Sequence, residues 1–94
     1  MLFSSENNLN SYFLNPTFDV IEVRCGPLNH QAKDVEDIRL VKLVGVHLRQ
    51  LADIGACTRL TICLLSNNFL TKVDSLVNCR HLIKLDLHSN QVSE

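Results

Sequence analysis

Apolar residues recur along this chain in two rhythms, one of alternate positions and one of every third position. In Leu60–Leu70, LTICLLSNNFL, the apolar skeleton is Leu60, Cys63, Leu65 and Leu70. In Leu82–Val92, LIKLDLHSNQV, it returns as Leu82, Leu85, Leu87 and Val92, each 22 residues on, and Asn68 returns as Asn90. Cys63 and Leu65 are two apart, as are Leu85 and Leu87, so a strand turns each pair to one face. Between these stretches the step changes to three. Leu48, Leu51, Ile54, Cys57 and Leu60 follow it, and so do Leu70, Val73, Leu76, Cys79 and Leu82. That step predicts a tight 3₁₀-like or irregular turn in preference to a long α-helix.

Both stretches fit L-x-x-L-x-L-x-x-N-x-L, the signature of a leucine-rich repeat. The predicted class is α/β: a short right-handed leucine-rich-repeat solenoid with a parallel β-sheet on its concave face and irregular or 3₁₀ convex segments. Stepping back by 22 gives Ile38, Val41, Leu43 and Leu48, with Val46 where later units carry asparagine. Terminal repeats commonly degenerate in this way, because one side lacks a neighbour. Ala32 and Val35 align with Ile54 and Cys57, which predicts a partial cap over residues 32–37. The organisation is therefore an N-terminal segment, residues 1–31, and a solenoid, residues 32–94, with units starting at 38, 60 and 82. Residues 1–17 read as a loose terminus whose Leu9, Tyr12, Phe13 and Leu14 can dock. Phe18–Val23 reads as a strand of mixed alternation, stopped by Gly26-Pro27.

A unit's inward residues cannot be covered by that unit alone, so neighbours must stack above and below. Asn68 and Asn90 sit where the backbone leaves the strand and are predicted as structural asparagines that satisfy main-chain groups there. The outward positions form columns down the stack: Leu40, Ile62, Lys84; then Lys42, Leu64, Asp86; then Val44, Ser66, His88; then Gly45, Asn67, Ser89. The first two units thus place Leu40, Val44, Ile62 and Leu64 on a face expected to be polar, and the third places Lys84, Asp86 and His88 there. Such a patch needs a cover, either a partner or the chain's own residues 1–30. With Lys42, these residues are the candidate partner-binding set.

Charge and composition narrow the function. Nine basic and ten acidic residues give a formal net charge of −1 over 94 residues. That balance supplies no electrostatic attraction to nucleic acid or to an anionic membrane. No stretch approaches the ~20 apolar residues of a membrane span, and the start of the chain lacks the basic leader and unbroken apolar run of a signal peptide. Cys25, Cys57, Cys63 and Cys79 contain no C-x-x-C pair and fall largely on core positions, the pattern of a reduced, intracellular protein. Cys57 and Cys79 are equivalent positions on adjacent turns and read as small buried thiols, since a disulfide needs Cα atoms roughly 4.4–6.8 Å apart.

Chemistry is thin. His30, His47, His81 and His88 are dispersed and form no zinc-like set with cysteine. Three glycines make no phosphate loop, and Asp86 with His88 on one strand face is not a catalytic centre. No catalytic residue, metal ligand or cofactor site is expected, and the chain is not expected to be an enzyme.

With its return at Leu70, Val73 and Leu76, the 22-residue unit resembles the leucine-rich repeats typified by the regulatory subunit of protein phosphatase 1. Val41–Leu51 (VKLVGVHLRQL), Cys63–Val73 (CLLSNNFLTKV) and His81–Val92 (HLIKLDLHSNQV) are similar to the start of the leucine-rich repeat and IQ domain-containing proteins, over about residues 40–92. The resemblance implies a cytoplasmic interaction protein with cytoskeletal or ciliary association. Calmodulin binding does not carry over, because the chain contains no IQ motif of spaced Ile-Gln and Arg.

The expected function is protein–protein interaction through the concave face, with a partner of unknown identity. The rival is a truncated structural fragment without independent binding, since the last unit stops at Val92-Ser93-Glu94 before its convex return. A phosphatase regulatory role rests on repeat class alone. An open last strand also invites self-association.

Overall fold

Three short strands form where the alternate-position rhythm falls: β1 (Leu40–Lys42), β2 (Ile62–Leu64) and β3 (Lys84–Asp86). They appear in a computed structural model that describes residues 12–30 and 32–93. Of the loose terminus expected over residues 1–17, the part up to residue 11, Leu9 included, lies outside the described residues. The strands are parallel, in the order β1-β2-β3, and every Cα partner is 22 residues away: Leu40 with Ile62 and Lys84, Val41 with Cys63 and Leu85, Lys42 with Leu64 and Asp86. The sequence repeat is thus the register of the sheet.

The every-third-position rhythm becomes 3₁₀ turns at Ala52–Ala56 and Asp74–Asn78. Ile54, Cys57 and Leu60 each donate their N–H to the carbonyl three residues back, as do Leu76, Cys79 and Leu82. A helix with three residues per turn carries every third side chain on one face, so Leu51, Ile54 and Cys57 all point inward and are at most 4% exposed. Strand, turn and return stack into the short α/β leucine-rich-repeat solenoid anticipated from the pattern.

Gly55 shows how closely the returns pack. A Cβ at Gly55 would meet the Ser75 Oγ at 2.4 Å and Cβ at 2.6 Å, so no larger residue fits there without movement of the next turn. On the outside of the returns, Arg59 reaches back one unit to Asp37 at 2.7 Å. His81 occupies the equivalent position in the following unit and is exposed.

Burial falls along the stack. Ile38, Val41, Leu43 and Leu48 in the first unit, and Leu60, Cys63, Leu65 and Leu70 in the second, are at most 1% exposed. Their third-unit counterparts have cover on one side only: Leu85 is 45% exposed, Val92 is 40% exposed, and Leu82 and Leu87 are half-buried.

One expectation is overturned. Phe18–Val23 is not a strand; Phe18–Cys25 is an α-helix, α1. Thr17 caps it by accepting from the Val20 N–H at 3.4 Å, and the Asp53 carboxylate, 35 residues away, accepts from the Phe18 N–H at 2.8 Å. Two of the four N–H groups a helix start leaves free are thereby satisfied. Asp19 in the first turn and Arg24 in the last suit the helix dipole. Phe18, Ile21 and Cys25 fall on one stripe, and Ile21 and Cys25 are fully buried in the same core as the repeats.

The helix and the turn after it finish the exposed edge of β1. Leu40 and Lys42 turn their main-chain groups away from β2, towards a strand that does not precede them. Asn29 donates from Nδ2 to the Leu40 carbonyl at 2.7 Å and accepts through Oδ1 from the Leu40 N–H at 2.8 Å. The Cys25 thiol donates to the Lys42 carbonyl at 3.6 Å, and its sulfur accepts from the Lys42 N–H at 3.5 Å. Two side chains take the place of a strand.

Candidate functional site

The outward face of the sheet is assembled by the strand register. Because side chains alternate along each strand, Leu40, Ile62 and Lys84 form one row, and Lys42, Leu64 and Asp86 the next. Leu40, Ile62 and Leu64 are half-buried, while Val44 is 40% exposed. Lys42, Lys84 and His88 are exposed and Asp86 is half-buried. The face is therefore apolar across the first two units and charged at the third. α1 and Asn29 bond along the outer edge of β1.

Asp86 and His88 do not form a side-chain pair. The Asp86 carboxylate instead accepts from the His88 backbone N–H at 3.0 Å and so shapes the turn after β3. Beyond the strands, Gly45, Asn67 and Ser89 are not simply a fourth outward column. All three adopt left-handed backbone, with φ of 65°, 59° and 58°. Gly tolerates this without strain, Asn tolerates it fairly well, and Ser less so.

Asn68 is 5% exposed and joins two units. Its Oδ1 accepts from the Val46 and Leu48 N–H groups at 3.0 Å each, and its Nδ2 donates to the Leu43, Leu65 and Ser66 carbonyls. Asn90 repeats the arrangement one unit on, accepting from the Leu70 N–H at 2.9 Å and donating to Leu65, Leu87 and His88 carbonyls. Both side chains are committed to main-chain groups.

The rim of the sheet carries an aromatic cluster in which Tyr12 and Phe13, two of the N-terminal residues expected to dock, meet His47 and Phe69. The Tyr12 ring stacks on His47 with centroids 4.2 Å apart, and Phe13 and Phe69 meet edge to face at 6.0 Å. Arg49 lies over the Phe13 ring at 4.3 Å. The Leu14 N–H donates to the His47 carbonyl at 3.2 Å, so residues 12–14 are strapped to the turns that follow β1 and β2. No period marks these residues; the only signal is the run of large apolar side chains Tyr12-Phe13-Leu14 after a polar stretch. The edge-sealing roles of Cys25 and Asn29 carry no sequence signal either, since their partners are backbone atoms 11 to 17 residues away.

All four cysteines are free and buried. Burial, reinforced by nearby Cys79, pushes the Cys57 and Cys63 thiols up to about 12, and burial also raises Cys79. Among the described residues, no three His, Cys, Asp or Glu side chains converge as metal ligands. No described helix is long and apolar enough to cross a membrane.

Known proteins agree with this architecture. The chain is 45% identical over 60 residues to the mouse leucine-rich repeat and IQ domain-containing protein 3, 43% over 60 residues to the rat protein, and 44% over 57 residues to the human one. The mouse alignment covers 64% of this chain but 10% of the relative, so the chain spans about a tenth of the length of the proteins it matches. An internalin crystal structure from Listeria monocytogenes superposes with a TM-score of 0.65 at 22% identity, covering 92% of this chain and 27% of the internalin. That likeness is one of fold. No family model matches the chain.

Proposed function

We propose that this chain, a leucine-rich-repeat solenoid similar to the leucine-rich repeat and IQ domain-containing proteins, is a protein-interaction module that takes a partner segment on the outward, concave face of its sheet. The observation that carries the reading is the row Leu40–Ile62 beside Leu64 and Val44, an apolar patch on a face that sheets normally leave polar. Lys42, Lys84, Asp86 and His88 border it and supply orientation through charge. A partner with a short apolar stretch and flanking charges fits this layout. The cytoplasmic site with cytoskeletal or ciliary association is part of the same proposal and rests on the resemblance.

The test is the pair Ile62→Ser and Leu64→Ser, used in a pull-down from ciliated cells beside the unaltered chain. Partner capture that disappears while cooperative unfolding is retained supports the reading. If the variants lose cooperative unfolding instead, the patch is a covered part of the fold and the reading fails.

A further inference from the structure

Charge is sorted by face in this solenoid. Acidic residues collect on α1 (Asp19, Glu22), on the turn before β1 (Asp34, Glu36, Asp37) and in the 3₁₀ returns (Asp53, Asp74). Among those described, only Asp86 lies on a strand, and its carboxylate already accepts from the His88 N–H at 3.0 Å. The other charges on the strands are Lys42 and Lys84, both exposed. Among the described residues the one ion pair, Arg59 with Asp37, lies on the outside of the returns. Units stack edge to edge, so Lys42 and Lys84 keep to the outward face however many units the stack holds.

We infer that the outward face takes an acidic segment of a partner protein, in which two carboxylates flank one apolar side chain. The inference rests on the concave-face reading and adds the chemistry of the partner. In the observed register Lys42 on β1 and Lys84 on β3 stand at opposite corners of the face, two strands and two residues apart. At about 4.8 Å between strands and about 3.3 Å per residue, their Cα atoms are roughly 12 Å apart. The midpoint of that diagonal falls between Ile62 and Leu64 on β2. In an extended chain, side chains at i, i+2 and i+4 share one face, and the outer two are about 13 Å apart. Acid, apolar, acid at those positions therefore sets a carboxylate at each lysine and the apolar group on Ile62 and Leu64. Asp86 stands off this line, at the corner opposite Leu40, and disfavours a carboxylate laid along the other diagonal. The acids on α1 and the returns oppose a broad polyanion, so two local lysines suit a short acidic segment.

Amide NMR shifts of the 94-residue chain, titrated with a peptide carrying Glu-Thr-Leu-Thr-Glu, test the inference. Peptides carrying Lys-Thr-Leu-Thr-Lys and Glu-Thr-Ser-Thr-Glu serve as matched probes. The acidic leucine peptide is expected to shift Lys42, Ile62, Leu64 and Lys84, and to bind more tightly than either twin. Lys42→Glu and Lys84→Glu should each weaken it about three- to tenfold, the scale of an exposed charge pair lost and reversed, with an unchanged circular dichroism spectrum. The chain carrying both changes should prefer the lysine peptide. Equal binding of the acidic and basic leucine peptides on this face overturns the acidic class while leaving the concave-face reading in place. A serine peptide that binds as tightly as the leucine one overturns the apolar midpoint. Shifts confined to other residues, or none at all, overturn the inference, and the Ile62→Ser and Leu64→Ser pull-down then decides the concave-face reading on its own.

Discussion

Asn29 and Leu40 are joined twice, Oδ1 accepting from the Leu40 N–H at 2.8 Å and Nδ2 donating to the Leu40 carbonyl at 2.7 Å. The amide side chain imitates a peptide group of a neighbouring strand. Its Oδ1 also accepts from the Arg39 N–H, just as the Arg39 carbonyl receives both the Thr61 and Ile62 N–H groups one unit on. Asn29→Leu keeps the bulk and removes every bond. It should cost roughly 2–4 kcal/mol in urea unfolding, since two N–H donors, of Arg39 and Leu40, and two carbonyl acceptors, of Cys25 and Leu40, lose their partners. Asn29→Asp keeps the acceptor but turns a buried carboxylate oxygen towards the Cys25 and Leu40 carbonyls that now receive the Nδ2 hydrogens, so it should destabilise as well. A loss below about 1 kcal/mol for Asn29→Leu would show that volume, not hydrogen bonding, holds the edge.

The two asparagines of the turns should not be equivalent in stability. Asn68 is 5% exposed and bonded across two fully covered units, while Asn90 is half-buried beside the exposed third layer. Water can replace more of what Asn90 provides. Asn68→Ala is expected to cost about 2–4 kcal/mol and Asn90→Ala roughly 1 kcal/mol. The midpoint of chemical unfolding for each variant checks the ranking; an Asn90 loss as large as that of Asn68 would contradict it.

Alkaline pH should unfold the chain through its thiols. Cys57 and Cys63 hold their protons to about 12 in the fold, against an ordinary value near 9.0. Above that ordinary value the unfolded thiols release protons and the folded ones do not, so rising pH favours unfolding. Stability should be flat below about pH 8 and should fall between about 9 and 12, by at most roughly 1.4 kcal/mol per pH unit for each thiol. Cys57→Ala and Cys63→Ala should each flatten that slope, whatever they cost at neutral pH. A slope unchanged in both variants would place the alkaline transition elsewhere.

What the sequence made legible is what occurs more than once. The step from Val41 to Cys63 to Leu85 gave the sheet register residue for residue, and the threefold step from Leu48 to Leu60 gave the 3₁₀ returns, because each unit imposes the same packing on the next. Features that occur once left no such trace. Phe18–Val23 looked like a strand because its apolar residues partly alternate, yet Thr17, Asp53 and the Phe18-Ile21-Cys25 stripe made it a helix. Asp53 could not be read from its position, since it lies in another unit's return. Asn29 and Cys25 act on main-chain atoms, which carry no sequence identity. The candidate face was legible as a set of columns, since Leu40, Ile62 and Lys84 do align, but the left-handed backbone at Gly45, Asn67 and Ser89 was not, because three different residue types share it.

The decline in burial from Leu60 to Leu82 also sets an order of events in time. Local opening needs little free energy where few apolar contacts must be broken, and much where a layer is covered on both sides. The solenoid should therefore fray from β3 inward, with the amide protons of Leu85 and Leu87 exchanging fastest and those of Val41 and Leu43 slowest. The sealed β1 end behaves as an anchor, and each unit towards β3 hangs on it with a shorter lifetime.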